Sequence, residues 1–412
     1  MSKRILIVGQ HFWPESFRIN DIADFLANEK GCEVDVLCGL PNYPSGQFPD
    51  GYGYFKKRKQ TYKNVSITRV FEIPRGNNSN LRIFLNYLSF PLASIFHIPR
   101  LLTKKYDKIF IYQLSPVMMS IAGIILGKLT RTETTMYVLD LWPENLYSVL
   151  NIKSPLLRKV ASSVSHWHYR QVNQLIALSE TMKIKLLEVT KLTSDDIAVI
   201  PQACERIYET PIHDNRIHRR FKNKFTVIFT GNISPAQSFD TIVKAASTLK
   251  KEGVTDIHWV IVGDGMSRKE VEKSIEDHDL KDCFSFEGQR PIEDMPKYME
   301  RADILIGCLT HSKLLEATIP AKVISYIASG KPIVLAMDGE ARDLINDKIH
   351  CGYAGAAEDV EAFVNNIKRI YRLSSVERNN LGDRATRYYS KNLNRDILLE
   401  KLHDFILTSN NV

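Results

Sequence analysis

The chain has 412 residues, more than one hydrophobic core usually serves, so two domains are expected. With 44% apolar and 25% charged residues it has a globular composition, which excludes a disordered chain, a collagen-like repeat and a disulfide-stapled miniprotein. The net charge of +8 is unevenly placed: residues 1–205 carry 25 Lys/Arg against 17 Asp/Glu, and residues 206–412 carry 30 of each. A basic first half suits an acidic surface such as anionic lipid or a phosphorylated substrate, or serves solubility alone. Cys32, Cys38, Cys204, Cys283, Cys308 and Cys351 include no Cys-x-x-Cys pair, which argues against a structural zinc site and fits a reducing cytoplasm.

Taken in chain order, Arg4–Val8 is an apolar run too short for a signal peptide, and no export is expected. Further strands are expected at Glu33–Leu37, Ser66–Phe71, Lys108–Tyr112, Thr135–Leu139, Gln174–Ala177 and Ile197–Ile200, with a Pro/Gly/Tyr-rich insert at Pro41–Tyr54. Ile83–Pro99 is almost wholly apolar and flanked by Arg82, Arg100, Lys104 and Lys105. It falls short of the roughly 20 residues a bilayer span needs. It reads either as a buried helix or as one lying among lipid headgroups, apolar side down. Ser115–Leu126, with Ala122 and Gly123, suits a helix packed on a sheet.

Between Pro201 and Lys224 the pattern lapses into Pro, His, Asn and mixed charge, as in a linker. Strands then follow at Phe225–Phe229, His258–Val262, Phe284–Glu287, Ile304–Ile306, Ile333–Leu335 and Gly352–Ala354, and after Tyr371 only helical, charged segments. The alternation predicts two α/β domains with parallel sheets, whose ligands bind beyond the strands' carboxyl ends, by default between the domains.

Three turns follow successive strands of the second half: Gly231-Asn232, Gly263-Asp264-Gly265 and Gly288-Gln289-Arg290. Each alone is weak evidence; together they would converge on one sheet edge. The first opens a helix expected near Ala236, whose free N–H groups suit a phosphate. None is a Walker loop or a G-x-G-x-x-G, so ATP and NAD are disfavoured. Pro320 and Gly330 bound a helix that carries Lys322 near its positively polarised start, with Glu316 in the preceding loop.

The stretch Pro320-x-Lys322-x-x-Ser325-Tyr326-x-Ala328-x-Gly330-Lys331-Pro332 resembles the nucleotide-sugar signature of family-4 retaining glycosyltransferases of the GT-B fold. Phe12-x-Pro14-Glu15, Pro41-Asn42-Tyr43-Pro44 and Asp140-Leu-Trp142-Pro143-Glu144 resemble a subgroup that includes L-fucosamine (N-acetylfucosamine) transferases of O-antigen and capsule pathways. The resemblance covers nearly the whole chain and is specific for fold and reaction type, not for the sugar.

It implies two Rossmann-like, doubly wound parallel-sheet domains facing across a cleft: an acceptor domain over 1–205, facing the membrane, and a nucleotide-sugar domain over 206–375. Helices over 376–412 would return to the first domain. The implied reaction moves a sugar from a UDP-sugar to a polyprenyl-diphosphate-linked saccharide at the inner membrane face, with an anionic membrane surface as partner and neither metal nor cofactor. Gly231, Asn232 and Gly263 would approach the diphosphate, with Lys322 and Lys313 neutralising it. Gly288, Gln289 and Arg290 would border the uracil, Glu316 would face the transferred sugar, and Ser325 would bond a ribose hydroxyl. Asp140 and Glu144 would address the acceptor hydroxyl, Asp140 otherwise capping the next helix. His11 is either a site group or a solvated loop histidine; Arg18 would bind an acceptor phosphate or pair with Glu15 on the surface.

Three features depart from the family: Ser325 stands where a glutamate is common, Glu316 falls one residue early counting back from that position, and Asn232 and Gln237 replace a usual basic pair. No Asp-x-Asp metal motif ends a strand, and the basic residues lack the aromatic interleaving of a nucleic-acid binder. The alternatives are a UDP-N-acetylglucosamine 2-epimerase-like enzyme and a non-catalytic nucleotide-sugar-binding assembly partner.

Overall fold

The computed structural model describes residues 2–76, 79–143, 154–312 and 315–407. It divides into two units, Met1–Pro201 with Leu399–Val412, and Gln202–Leu398.

The first unit holds β1 (Arg4–Val8), β2 (Glu33–Cys38), β3 (Lys59–Tyr62), β4 (Val65–Arg69), β5 (Lys108–Gln113), β6 (Thr134–Val138), β7 (Gln174–Ala177) and β8 (Ile197–Val199). They lie in the order β3-β4-β2-β1-β5-β6-β7-β8, parallel except for the β3–β4 pair. The central strands read as unbroken apolar runs because helices cover both faces; Ile5, Leu6, Ile7 and Val8 are fully buried. The sequence reading missed β3. Its Lys-Gln-Thr-Tyr alternates exposed and half-buried positions on the sheet edge. A tight turn with Lys63 and Asn64 at φ 45° and 64° joins it to β4.

Helix α1 (Asn80–Ile95) is turned inside out. Asn86, Ser89 and Ser94 are buried together with Phe90, while Leu81, Phe84, Leu88 and Leu92 are exposed, as is Phe96 just past its end. The inward polar groups are bonded: Asn86 Nδ2 donates to the Ile73 carbonyl (2.7 Å) and Ser89 Oγ accepts from the Ile73 amide (2.9 Å). Helix α2 (Ile121–Thr130) lies on the sheet as expected, and a Cβ at Gly123 would stand 2.9 Å from Ile111. No helix among the described residues is long and apolar enough to cross a membrane.

The second unit opens with a short helix, α3 (Asn215–Arg220), whose first amides are capped by the Asp214 carboxylate. Its sheet comprises β9 (Phe225–Thr230), β10 (Ile257–Val262), β11 (Phe284–Gly288), β12 (Ile304–Cys308), β13 (Ile333–Ala336) and β14 (Gly352–Gly355). All pairs are parallel, in the order β11-β10-β9-β12-β13-β14. Alternate residues feed two cores. Val227, Phe229 and Ile261 pack with Ile242 and Ala246 of α4 (Phe239–Lys251). Ile228 and Val260 pack on the other face, with Met299 of α5 (Met295–Arg301) and with Val323 and Ile327 of α6 (Ala321–Ser329). The helix expected near Ala236 begins later: Pro235–Gln237 makes one 3-10 turn and Ser238, at φ 40°, breaks the chain before α4. Gly330, at φ 67°, ends α6 as its sequence position predicts. The last described helix, α7 (Arg395–Leu407), carries Glu400, which pairs with Lys30 of the first unit.

In each sheet the strand order reverses once, between β1 and β5 and between β9 and β12. Open parallel sheets bind their ligands beyond the strand ends at such a point.

Candidate active site

In the second unit the three glycine turns do meet, because β9, β10 and β11 are neighbours. The Gly231 amide donates to the Val262 carbonyl (2.9 Å) and the Gly263 amide to the Gly288 carbonyl (2.9 Å). Gly263 has φ +147°, and a Cβ there would stand 1.9 Å from the Gly231 carbonyl oxygen, so only glycine fits. Asp264 serves its own turn: its Oδ1 accepts from the Gly265 amide and its Oδ2 pairs with Arg268. Asn232, Gln289 and Arg290 are exposed on this edge.

Lys322, in the first turn of α6, brings its ammonium over the Gly231 turn, 3.2 Å from where a Cβ of Gly231 would lie. It donates to the side-chain carbonyl of Gln237 and lies 3.8 Å from the centre of the Phe229 ring. Among the described residues it makes no ion pair. Burial pushes its pKa down to about 7. The sequence reading took Gln237 for a missing basic residue; in the structure its carbonyl holds the one that is there.

Glu316 is half-buried in a 3-10 turn, Leu315–Ala317, which directly precedes α6. Gly339 presses on its backbone, where a Cβ would come within 2.1 Å of the Glu316 carbonyl oxygen. Ser325 is buried, and its hydroxyl donates to the Ala321 carbonyl one turn back (3.3 Å). Arg290 stands 3.5 Å from Glu287, a buried carboxylate that also pairs with Arg220 (2.7 Å) and accepts from Tyr298 (3.0 Å). These residues line a cavity of about 280 Å³. Lys313 and Glu144 lie outside the described residues.

In the first unit His11 follows β1 and is buried, not a solvated loop residue. Its Nδ1 is 2.8 Å from Glu15 Oε2, its ring stacks on Phe17, and its Nε2 is 3.4 Å from Arg75 Nη2. Glu15 is buried too, not at the surface. Its Oε1 accepts from the amides of Asn42 (2.7 Å) and Tyr43 (2.6 Å), so two of the sequence motifs are joined through one carboxylate. Arg18 begins a short helix, Ile19–Asp24, and already has partners within the protein.

Asp140 follows β6. Its carboxylate accepts from the Ser115 amide (3.1 Å) and hydroxyl (2.9 Å), and Trp142 Nε1 donates to the same hydroxyl (2.8 Å). The third motif therefore fastens the loop after β5 at the point of strand reversal.

Sequence reasoning missed a second layer. Glu72 is fully buried, and its Oε1 accepts from Gln10 (2.8 Å), Asn42 (3.2 Å) and Asn86 (2.6 Å). Burial raises its pKa to about 7. Arg75 lies between the rings of Tyr43 and Tyr87, 5.3 and 5.7 Å from their centres, and its Nε is 3.3 Å from Asn86 Oδ1. It makes no ion pair with any described residue. Neither residue sits in a motif; a carboxylate after β4, near the point where the chain leaves the sheet edge, was the only sequence clue.

Solved structures share this architecture over almost the whole chain. Anabaena HepE, crystallised with UDP and glucose, matches with a TM-score of 0.70 at 15% identity, covering 98% of each chain. WaaG, a glycosyltransferase involved in lipopolysaccharide biosynthesis, matches with 0.68 at 15% identity over 98% of this chain and all of that one. The protein is a glycosyltransferase of GT-B fold. Residues 213–388 match the family described as glycosyl transferases group 1. Among relatives, the "Putative colanic acid biosynthesis glycosyl transferase WcaI" of Escherichia coli K12 is 21% identical over 382 residues, covering 89% of this chain and 91% of its own.

Proposed function

We propose that the protein moves a sugar, with retention at the anomeric carbon, from a UDP-sugar to a saccharide carried on a polyprenyl diphosphate, in the assembly of a bacterial surface polysaccharide. An amino sugar of the fucosamine type is the proposed donor sugar. The observation that carries this reading is Lys322: a half-buried ammonium with no carboxylate partner among the described residues, set over a turn of glycine amides at the strand reversal of the second unit. The family, the UDP of HepE and the polysaccharide roles in the names of WcaI and WaaG support the rest.

Charge that builds on the leaving diphosphate as the bond to the anomeric carbon breaks is met by these amides and by Lys322, already in place before reaction. The acceptor oxygen bonds to the anomeric carbon on the same face, and its proton passes to the departing phosphate oxygen. Glu316 steadies the sugar; Gly288, Gln289 and Arg290 border the base, and Ser325 bonds a ribose hydroxyl. On the first unit His11 and Asp140 address the acceptor hydroxyl. Arg75, rather than Arg18, supplies the cation for the carrier's phosphate.

The inside-out helix α1 supports attachment to anionic membrane. Its stripe of Leu81, Phe84, Leu88, Leu92 and Phe96 would lie among acyl chains, with Arg82, Arg100 and Lys105 at the headgroups; Lys104 already pairs with Asp35. Replacing Leu88 and Leu92 by Asp should abolish pelleting with anionic vesicles; undiminished pelleting removes this part of the proposal.

A thermal-shift panel of UDP-, GDP- and dTDP-sugars tests the donor. The UDP-sugar should raise the melting temperature, since a ligand that binds only the native state stabilises it. Transfer to a prenyl-diphosphate saccharide is then expected from purified protein. A shift with GDP- or dTDP-sugars alone overturns the uridine assignment, and a converted donor without transfer product overturns the transferase reading.

A further inference from the structure

We propose that the second unit carries a binding site for a divalent transition cation, with Zn²⁺ the best match, formed by His213, His218 and Glu300 and separate from the sugar-transfer groups. His218 lies on α3, His213 just ahead of it, and Glu300 on α5. His218 Nε2 is 2.5 Å and His213 Nδ1 is 3.6 Å from the same oxygen, Glu300 Oε2, and the two imidazole rings stand with centres 4.0 Å apart. All three donor atoms fall within 4.8 Å of one another.

Two imidazole nitrogens face one carboxylate oxygen, and His213 Nε2 is engaged by Asn215 Oδ1 (3.2 Å), which leaves its Nδ1 on the side of Glu300. His218 takes the hydrogen bond, and His213 is left beyond reach of it. A cation bound at about 2.0–2.2 Å from each donor serves all three at once, with water completing a tetrahedral set. The donors converge from two elements, which a surface cluster on one helix does not do. The other His/acid group, Glu400, His403 and Asp404, lies on α7 alone, and there Glu400 is already paired with Lys30.

The cation would fix α3 against α5. Helix α3 also presents Arg220 to Glu287, the carboxylate that holds Arg290 and Tyr298 beside the 280 Å³ cavity. Occupancy should therefore tighten UDP binding. This consequence rests on the donor assignment; cation binding itself does not.

The test is titration of the full chain with Zn²⁺ alone, by calorimetry and by competition with a chromophoric chelator. One saturable site per chain is expected, with a rise in melting temperature. His213→Ala, an exposed substitution that leaves the apo melting temperature unchanged, should weaken the site by at least roughly tenfold, as should Glu300→Gln. His403→Ala should leave it intact. Absence of a one-to-one site in the native protein overturns the proposal, as does a site that survives His213→Ala and is lost with His403→Ala.

Discussion

The two points of strand reversal are built on opposite electrostatic plans. After β9 the chain presents glycine amides and Lys322, which makes no ion pair with any described residue, an arrangement suited to an anion. After β1 the carboxylates of Glu15 and Glu72 are consumed internally by amides and side-chain donors, while Arg75 makes no ion pair with any described residue. One edge is prepared by withholding a partner, the other by locking loops. Replacing Lys322 on the first should therefore cost binding while sparing stability, and replacing the buried carboxylates on the second should register first in stability.

The largest effect is expected where the anion edge is made of backbone. Gly263→Ala places a Cβ 1.9 Å from the Gly231 carbonyl and adds a disfavoured φ, for a cost of about 2 kcal/mol or more. UDP binding should vanish in calorimetry, and the melting temperature should fall by roughly 4–8 °C. Next comes Lys322→Gln, with at least a tenfold loss of turnover and of UDP affinity. Glu316→Ala should lower turnover by a similar factor.

Lys322→Gln also tests the plan itself. A lysine held at about 7 instead of 10.5 means that the native state carries fewer protons than the unfolded chain between those values. Stability from this group then rises with pH across that window, and the ammonium is a burden below it. The Gln variant should be no less stable than the parent at pH 6.5 while binding UDP poorly. UDP affinity of the parent should decline from pH 7 to pH 9, and the variant should show no such decline. A variant that both binds weakly and melts early would mean that Lys322 is structural.

Much of this edge was legible in the sequence because glycines after strands, and a Pro–Lys–Gly frame around a helix, are local signals with local causes. The strand order then brings the three turns together with no further information. The edge of the first unit was legible only in part. Glu15, Asn42 and Asp140 were visible as motifs, but their partners are distant in sequence: Glu15 reaches Tyr43, Glu72 reaches Asn86, and Asp140 reaches Ser115. Such pairings follow from topology, not periodicity. Helix α1 was legible as apolar, yet its inversion depended on polar partners at Glu72 and Ile73 that no single stretch reveals.

Arg75→Gln should raise the KM for a prenyl-diphosphate-linked acceptor about tenfold while leaving UDP affinity unchanged, since a charge-assisted contact is worth about 1.5 kcal/mol or more. Arg18→Gln should change it far less, because that side chain has partners of its own. Equal effects from the two would place the carrier phosphate elsewhere and remove the contrast between a spent and an available cation.

The smallest effect concerns Glu72. Its pKa, raised from 4.5 to about 7, means that the native state holds more protons than the unfolded chain between those values. The sign is opposite to that of Lys322: stability from Glu72 falls as pH rises from about 4.5 through 7. Glu72→Gln keeps an oxygen for Gln10, Asn42 and Asn86, but places an amide nitrogen where Oε2 now lies buried without a partner. That cost is the same at every pH, so it lowers the whole curve and leaves its slope alone. The measurement is therefore the slope of melting temperature against pH between 5 and 7.5, which should be less negative, or more positive, in the variant than in the parent by a few degrees over the range. Parallel curves would mean that Glu72 stays ionised in the native state, held by its three donors. The edge of the first unit would then carry Glu72 as a charge and not neutralised in advance.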